Sequence, residues 1–233
     1  MYAYLPAGYQ PGGQRRYPVI EALHGYPASP LQWLHALDVA GILDREIAAG
    51  RMAPTIVLFP YQTPKPSLDT ECTDMAGGPQ TETFLTVDVP QFAKTHLPVR
   101  DEPGAWGLIG YSAGGFCASS LLLRHPGQYA AGASLSGYAD PGIKVGDGSE
   151  RTTYNLIWRL ENLPHPAVAL YLACARTDKA AMTAATTMAG LARAPLTVTT
   201  AFAETGGHNA GTWAAAAPPA FAWLSSHLAG PLP

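Results

Sequence analysis

Trp106-Gly107-Leu108-Ile109-Gly110-Tyr111-Ser112-Ala113-Gly114 is the stretch from which the rest of the chain is best read. A short apolar run of strand type leads into Gly-x-Ser-x-Gly, and a helix-type segment, Ala113–Arg124, follows at once. In so sharp a turn, side chains two residues either side of the serine would collide with the neighbouring strand and helix. That is the physical reason for glycine at 110 and 114. The turn lifts Ser112 Oγ above the sheet, and the opening N–H groups of the helix face a developing anion without partners of their own. The alternative is an ordinary glycine-rich turn with no chemistry. The other residues of the chain decide between the two.

Working outward, strand-type and helix-type segments alternate. Strands are expected at Pro18–His24, Thr55–Pro60, Ala105–Gly110, Ala131–Ser136, Ala167–Cys174 and Leu196–Phe202, each bounded by Gly, Pro or polar clusters. Helices are expected near Leu34–Ala49, Thr83–His96, Ala113–Arg124, Thr153–Asn162, Lys179–Ala192 and Pro219–His227. The fold class is therefore α/β, a mostly parallel sheet with helices on both faces joined by right-handed crossovers. Glu21, inside an otherwise apolar strand, has no explanation at this level.

A serine is a weak nucleophile until a base takes its proton. Four histidines follow Ser112, namely His125, His165, His208 and His227. His125 ends the nucleophile's own helix, His165 precedes a strand at the wrong edge of the sheet, and His227 suits a helix C-terminus. Only His208, in Glu204-Thr205-Gly206-Gly207-His208-Asn209, follows the carboxyl end of a strand, where ligand sites of α/β sheets lie. Asp178 follows the preceding strand in the same way, and it also stands where an N-cap of the helix Lys179–Ala192 belongs. Asp140, Asp147 and Glu204 are less well-placed acids. Leu23-His24-Gly25-Tyr26 closes the first parallel strand, so the Tyr26 and Ala113 N–H groups are candidates for a two-donor oxyanion hole.

Composition narrows the remaining classes. The 233 residues are 47% hydrophobic and 13% charged, which suits one compact domain spanning 1–233 with a large core. A net charge of −3 gives no basic footprint, so nucleic acid is not an expected partner. The apolar runs, about six to eight residues long, fall far short of a membrane span. Cys72, Cys117 and Cys174 form no CxxC pair, and no His/Cys cluster has zinc spacing, so neither metal nor cofactor is expected. Cys72 and Cys117 could form one disulfide, leaving Cys174 as a buried odd thiol.

These residues together resemble the esterase D-like α/β-hydrolases, which include S-formylglutathione hydrolases, feruloyl esterases and mycobacterial mycolyltransferases. The resemblance runs through Tyr4-Leu5-Pro6, Leu23-His24-Gly25, Glu82-Thr83-Phe84-Leu85-Thr86, the serine turn, Leu135-Ser136-Gly137, and Gly207-His208 with Trp213. It implies Ser112 as nucleophile, Asp178 as acid, His208 as base, and Tyr26 with Ala113 as oxyanion donors. It further implies small-molecule, carbohydrate or aromatic esters as substrates. An extracytoplasmic setting, with a possible membrane tether outside this segment, is also implied. Two features depart from the pattern. The acid is Asp where mycolyltransferases carry Glu, and the first antiparallel strand with part of the second is expected to be missing, as in a domain cut from a longer exported protein. Between Ser112 and Asp178 a helix, a strand, the loop Gly137–Thr152, another helix and a strand leave no room for a lid domain. The site is expected to be open, walled by loops around Trp33, Tyr61–Gly78 and Gly137–Thr152. Ester hydrolysis is the leading expectation. Acyl transfer to a sugar or other alcohol is the alternative, and a catalytically idle surface-binding module is the lesser one.

Overall fold

The computed structural model describes residues 1–233. Seven strands form one sheet: β1 (Tyr2–Tyr4), β2 (Val19–Leu23), β3 (Ile56–Phe59), β4 (Trp106–Tyr111), β5 (Ala131–Leu135), β6 (Ala169–Ala175) and β7 (Thr197–Ala203). Their order is β1-β3-β2-β4-β5-β6-β7. All neighbours are parallel except β1, which runs antiparallel to β3. The order reverses at β2 and β4. From β2 the chain crosses outward to β3, then returns past β2 to lay down β4, and continues in one direction to β7. A crevice opens at the carboxyl ends of the strands flanking such a reversal.

Helices α1 (Val39–Ala48) and α7 (Ala210–His227) cover one face of the sheet, with Leu43 and Phe221 meeting Ile20 and Ile109. On the other face, α3 (Val89–His96), α4 (Ala113–Arg124), α5 (Leu156–Asn162) and α6 (Lys179–Leu191) pack over Leu58, Leu108 and Leu172. β2 to β6 are buried along their whole length, which is why they read as continuous apolar runs. β7, expected to be buried like them, is an edge strand with mostly exposed or half-exposed residues. No helix is long and apolar enough to cross a membrane.

Three expected helices differ from what forms. Leu34–Ala49 is broken: a wide π-type turn, Gln32–Ala36, precedes α1, and Asp38 between them adopts left-handed φ 49°. The break turns Trp33 inward, where its indole N–H donates to the Leu23 carbonyl at 3.1 Å. Thr83–His96 begins earlier, with the short turn α2 (Thr81–Thr83) and a π-type turn, Phe84–Asp88, ahead of α3. Pro90 has no N–H to give the Thr86 carbonyl, and Gln128 Nε2 bonds that carbonyl instead at 2.9 Å. The last helix starts at Ala210 rather than Pro219, and both Pro218 and Pro219 lie inside it. Burial of Trp213, Ala217, Phe221 and Leu224 against the sheet overrides the local preference of proline for a first turn.

Glu21 is fully buried in β2, with Oε1 accepting the Tyr129 hydroxyl at 3.0 Å and Oε2 unpartnered. Burial pushes its carboxyl up to about 8, so it is neutral at ordinary pH. Glu82 behaves in the opposite way. Burial would raise it, but hydrogen bonds from His125, Arg124 and Tyr154 outweigh that and hold it at about 2. The carboxylate thereby ties the start of the α2–α3 segment to the end of α4 and to the turn ahead of α5.

Candidate active site

Ser112 sits between β4 and α4 with φ 55° and ψ −121°, a conformation that L-residues rarely adopt. The two flanking glycines are sterically required. A Cβ on Gly110 would lie 1.9 Å from the Gly114 carbonyl oxygen, and one on Gly114 would lie 2.1 Å from that of Leu23. Helix α4 starts at Ala113, whose N–H has no acceptor within the helix.

Ser112 Oγ lies 2.8 Å from His208 Nε2, and His208 Nδ1 lies 2.7 Å from Asp178 Oδ2. The carboxylate can only accept, so Nδ1 carries a hydrogen and Nε2 is free to receive the serine proton. Asp178 is buried at the N-terminus of α6, and its other oxygen accepts the Ala181 N–H at 3.4 Å. One side chain thus both faces His208 and caps α6. The His208 loop is held on both sides. Thr177 Oγ1 donates to the Gly206 carbonyl at 3.0 Å, and Gly207 N–H donates to Thr212 Oγ1 at 3.0 Å. Trp213 stands edge-on to the imidazole at 5.2 Å and stacks on Tyr111 at 4.6 Å, which fixes the ring plane.

The other candidates lie apart from this chain of hydrogen bonds. His125 pairs with Glu82, His165 bonds the Leu160 carbonyl, and His227 bonds the Trp223 carbonyl. Asp140 holds Gly142 N–H and Asn155, Asp147 holds Ser149, and Glu204 pairs with Arg176 at the surface. Tyr26 follows Gly25, whose added Cβ would come within 3.3 Å of Ser112 Cβ, so this loop lies against the serine. The Tyr26 N–H has no acceptor within the protein.

Cys72 and Cys117 form a disulfide, Cα to Cα 5.6 Å, and Cys174 is a free buried thiol. The disulfide pins the loop after β3 to the second turn of α4. Glu71 and Cys72 take left-handed φ of 44° and 53° there. Burial, then the nearby Asp69 charge, pushes the Glu71 carboxyl up to about 9, and it accepts the Tyr138 hydroxyl. Tyr138 in turn stacks on Phe116 of α4 at 5.6 Å. The loops 61–78 and 137–152 therefore converge on α4. The Trp33 indole itself is fully buried and takes no part in lining the site. Gln62, which bonds the His24 backbone N–H and carbonyl, gave no signal in the sequence, being a lone glutamine in a polar loop.

The larger cavities lie elsewhere. One of about 500 Å³ is bounded by Val87, Lys94 and Trp106, and one of about 580 Å³ by Tyr2, Phe84 and Phe92. Neither is lined by Ser112, Asp178 or His208.

A family model described as putative esterase matches residues 1–224. An uncharacterised protein of Corynebacterium glutamicum is 29% identical over 140 residues, 60% of this chain and 33% of that protein. A diacylglycerol acyltransferase/mycolyltransferase of Mycobacterium leprae is 34% identical over 65 residues, 28% of this chain and 19% of that protein. The matched stretches thus span a third or less of these relatives. Among solved structures, a ferulic acid esterase superposes with TM-score 0.80 at 20% identity, covering 97% of this chain and 91% of that one. An S-formylglutathione hydrolase from Agrobacterium tumefaciens superposes with TM-score 0.79 at 13% identity, covering 97% and 89%. At such identities the likeness shows the fold, that of the α/β-hydrolases.

Proposed function

The chain belongs to this esterase family, and from that premise we propose that it hydrolyses carboxylic esters through an acyl-enzyme on Ser112, with His208 as general base and Asp178 as its orienting acid. The observation that carries the reading is the unbroken run Ser112 Oγ to His208 Nε2 to Asp178 Oδ2, at 2.8 and 2.7 Å, behind a serine held at positive φ. As Oγ attacks the ester carbonyl, His208 Nε2 takes its proton. The negative charge gathering on the carbonyl oxygen is met by the Ala113 and Tyr26 N–H groups. The imidazolium then gives its proton to the departing alcohol, leaving the acyl group on Ser112. Water then attacks the acyl carbon as His208 takes one of its protons, and the imidazolium returns that proton to Ser112 Oγ as the acyl–Oγ bond breaks and the acid leaves. Asp178 keeps the Nδ1–H tautomer and stabilises the imidazolium.

A site with no lid domain between β5 and β6 favours water as acceptor and esters with a large alcohol half, such as carbohydrate or aromatic ones. Acyl transfer to an alcohol uses the same groups, and the short match to the Mycobacterium leprae acyltransferase is what favours it. The Cys72–Cys117 disulfide supports an extracytoplasmic setting, where such bonds persist. Replacement Ser112→Ala tests the core of the reading. Turnover of an activated aryl ester should fall by about 10⁶ in kcat with the fold intact. Retention of more than about a percent of the rate would remove Ser112 as nucleophile.

A further inference from the structure

The backbone ladder between β2 and β3 is registered through Glu21 opposite Leu58. The rungs that start with Ile56 N–H on the Pro18 carbonyl would next need a Pro60 N–H for Ala22, which proline lacks, and the paired strand ends there. His24, directly after β2, is fully buried and would be left with an unpaired N–H and C=O on that side. Gln62 takes up both. Its Oε1 accepts the His24 N–H at 2.8 Å and its Nε2 donates to the His24 carbonyl at 2.6 Å. A side-chain amide carries the same donor and acceptor as a peptide group, so Gln62 acts as one more rung of the ladder. The same Nε2 lies 3.8 Å from Cys117 Sγ, which sets Gln62 against the disulfide.

The imidazole of His24 continues the chain of support. Nδ1 lies 2.8 Å from the Gly25 carbonyl oxygen. A carbonyl only accepts, so Nδ1 carries the hydrogen. Burial lowers the basicity of His24, keeping it neutral, and its Nε2 has no partner. The Gly25 carbonyl and the Tyr26 N–H belong to one peptide unit. That bond is trans, since the cis bonds are Tyr26–Pro27 and Ala194–Pro195, so its C=O and N–H point in opposite directions. Fixing the carbonyl therefore fixes the N–H. Gly25 tolerates either orientation of the unit better than any other residue would, so something else must choose between them.

We propose that His24 and Gln62 are positioning residues of the oxyanion hole. Gln62 holds the His24 backbone as a surrogate strand, and the His24 imidazole holds the Gly25–Tyr26 peptide with its N–H turned towards the oxygen that becomes charged. The inference rests on the reading of Ser112 as nucleophile and Tyr26 as oxyanion donor.

The test uses Gln62→Leu, His24→Leu and His24→Asn, the last placing an amide nitrogen near the position of Nδ1. Kinetics on a short aryl ester are taken per active site, titrated with a phosphonate, together with the inhibition constant of an alkyl boronic acid that mimics the tetrahedral adduct. Gln62→Leu and His24→Leu should lower kcat by 10- to 1,000-fold, with KM within about threefold, and should weaken the boronate in parallel. His24→Asn should recover at least tenfold of the loss. The proposal is overturned if kcat per titrated site and boronate affinity stay within about threefold of the parent. It is equally overturned if His24→Asn is no better than His24→Leu. Failure of the underlying reading shows separately, as a Ser112→Ala protein that still turns over the ester.

Discussion

Asp178 divides its two oxygens between two tasks, Oδ2 facing His208 Nδ1 at 2.7 Å and Oδ1 accepting the Ala181 N–H at 3.4 Å where α6 begins. The tasks separate chemically. Asparagine caps a helix as well as aspartate does, but it cannot hold a charge beside the imidazole. Asp178→Asn should therefore leave the melting temperature within a few degrees while lowering kcat by about 10⁴. A loss of stability without a loss of rate would mean that the residue only caps. The meeting of Ser112, His208 and Asp178 was legible in the sequence because each follows the carboxyl end of a strand. Among the histidines that placement selects His208. Among the acids it selects Asp178 only when the acid is sought on the strand before that of the histidine, since Glu204 also follows β7. Gln62 was not legible. Its contribution depends on Pro60 ending the ladder beside His24, a relation between segments that spacing along the chain does not carry.

At the scale of elements, strands were easier to read than helix ends. β2 to β6 are buried on both faces, so their sequences are simple apolar runs, and the structure places each within about a residue or two of expectation. The segment 32–48, broken at Asp38 with Trp33 turned inward, and α7, which runs through Pro218–Pro219, departed from expectation because tertiary burial outweighs local signals. Glu21 belongs to this scale too, since it makes β2 sensitive to pH. In the unfolded chain its carboxyl loses a proton near 4.5, whereas in the folded protein it keeps that proton up to about 8. The unfolded state binds fewer protons in that window, so stability falls as pH rises from about 4.5 to 8. Replacement Glu21→Gln keeps an acceptor for Tyr129 and removes the titration. Its gain in stability over the parent should grow across the window, on the order of 1.4 kcal/mol per pH unit at most. Thermal melts at pH 5 and pH 8.5 check it, and an equal difference at both would contradict it.

Across the whole molecule, the reversal of strand order at β2 and β4 brings His24-Gly25-Tyr26 and Ser112 to the same edge of the sheet, and β6 and β7 deliver Asp178 and His208 to that edge. Between β5 and β6 the chain builds only a loop, one 3₁₀ turn and α5, so no lid domain stands over the serine. A lidded lipase must uncover an apolar groove at an oil surface, and this chain has no such segment to move. Its rate on a short soluble ester should follow simple saturation through the solubility limit; a sharp rise above the critical micelle concentration would contradict an open site. The central claim, that Ser112 is the activated nucleophile, is tested most directly by fluorophosphonate labelling read by intact mass and peptide mapping. The account predicts a single adduct on Ser112 and none on Ser112→Ala protein; an adduct at another residue, or no adduct on the folded parent, would contradict it.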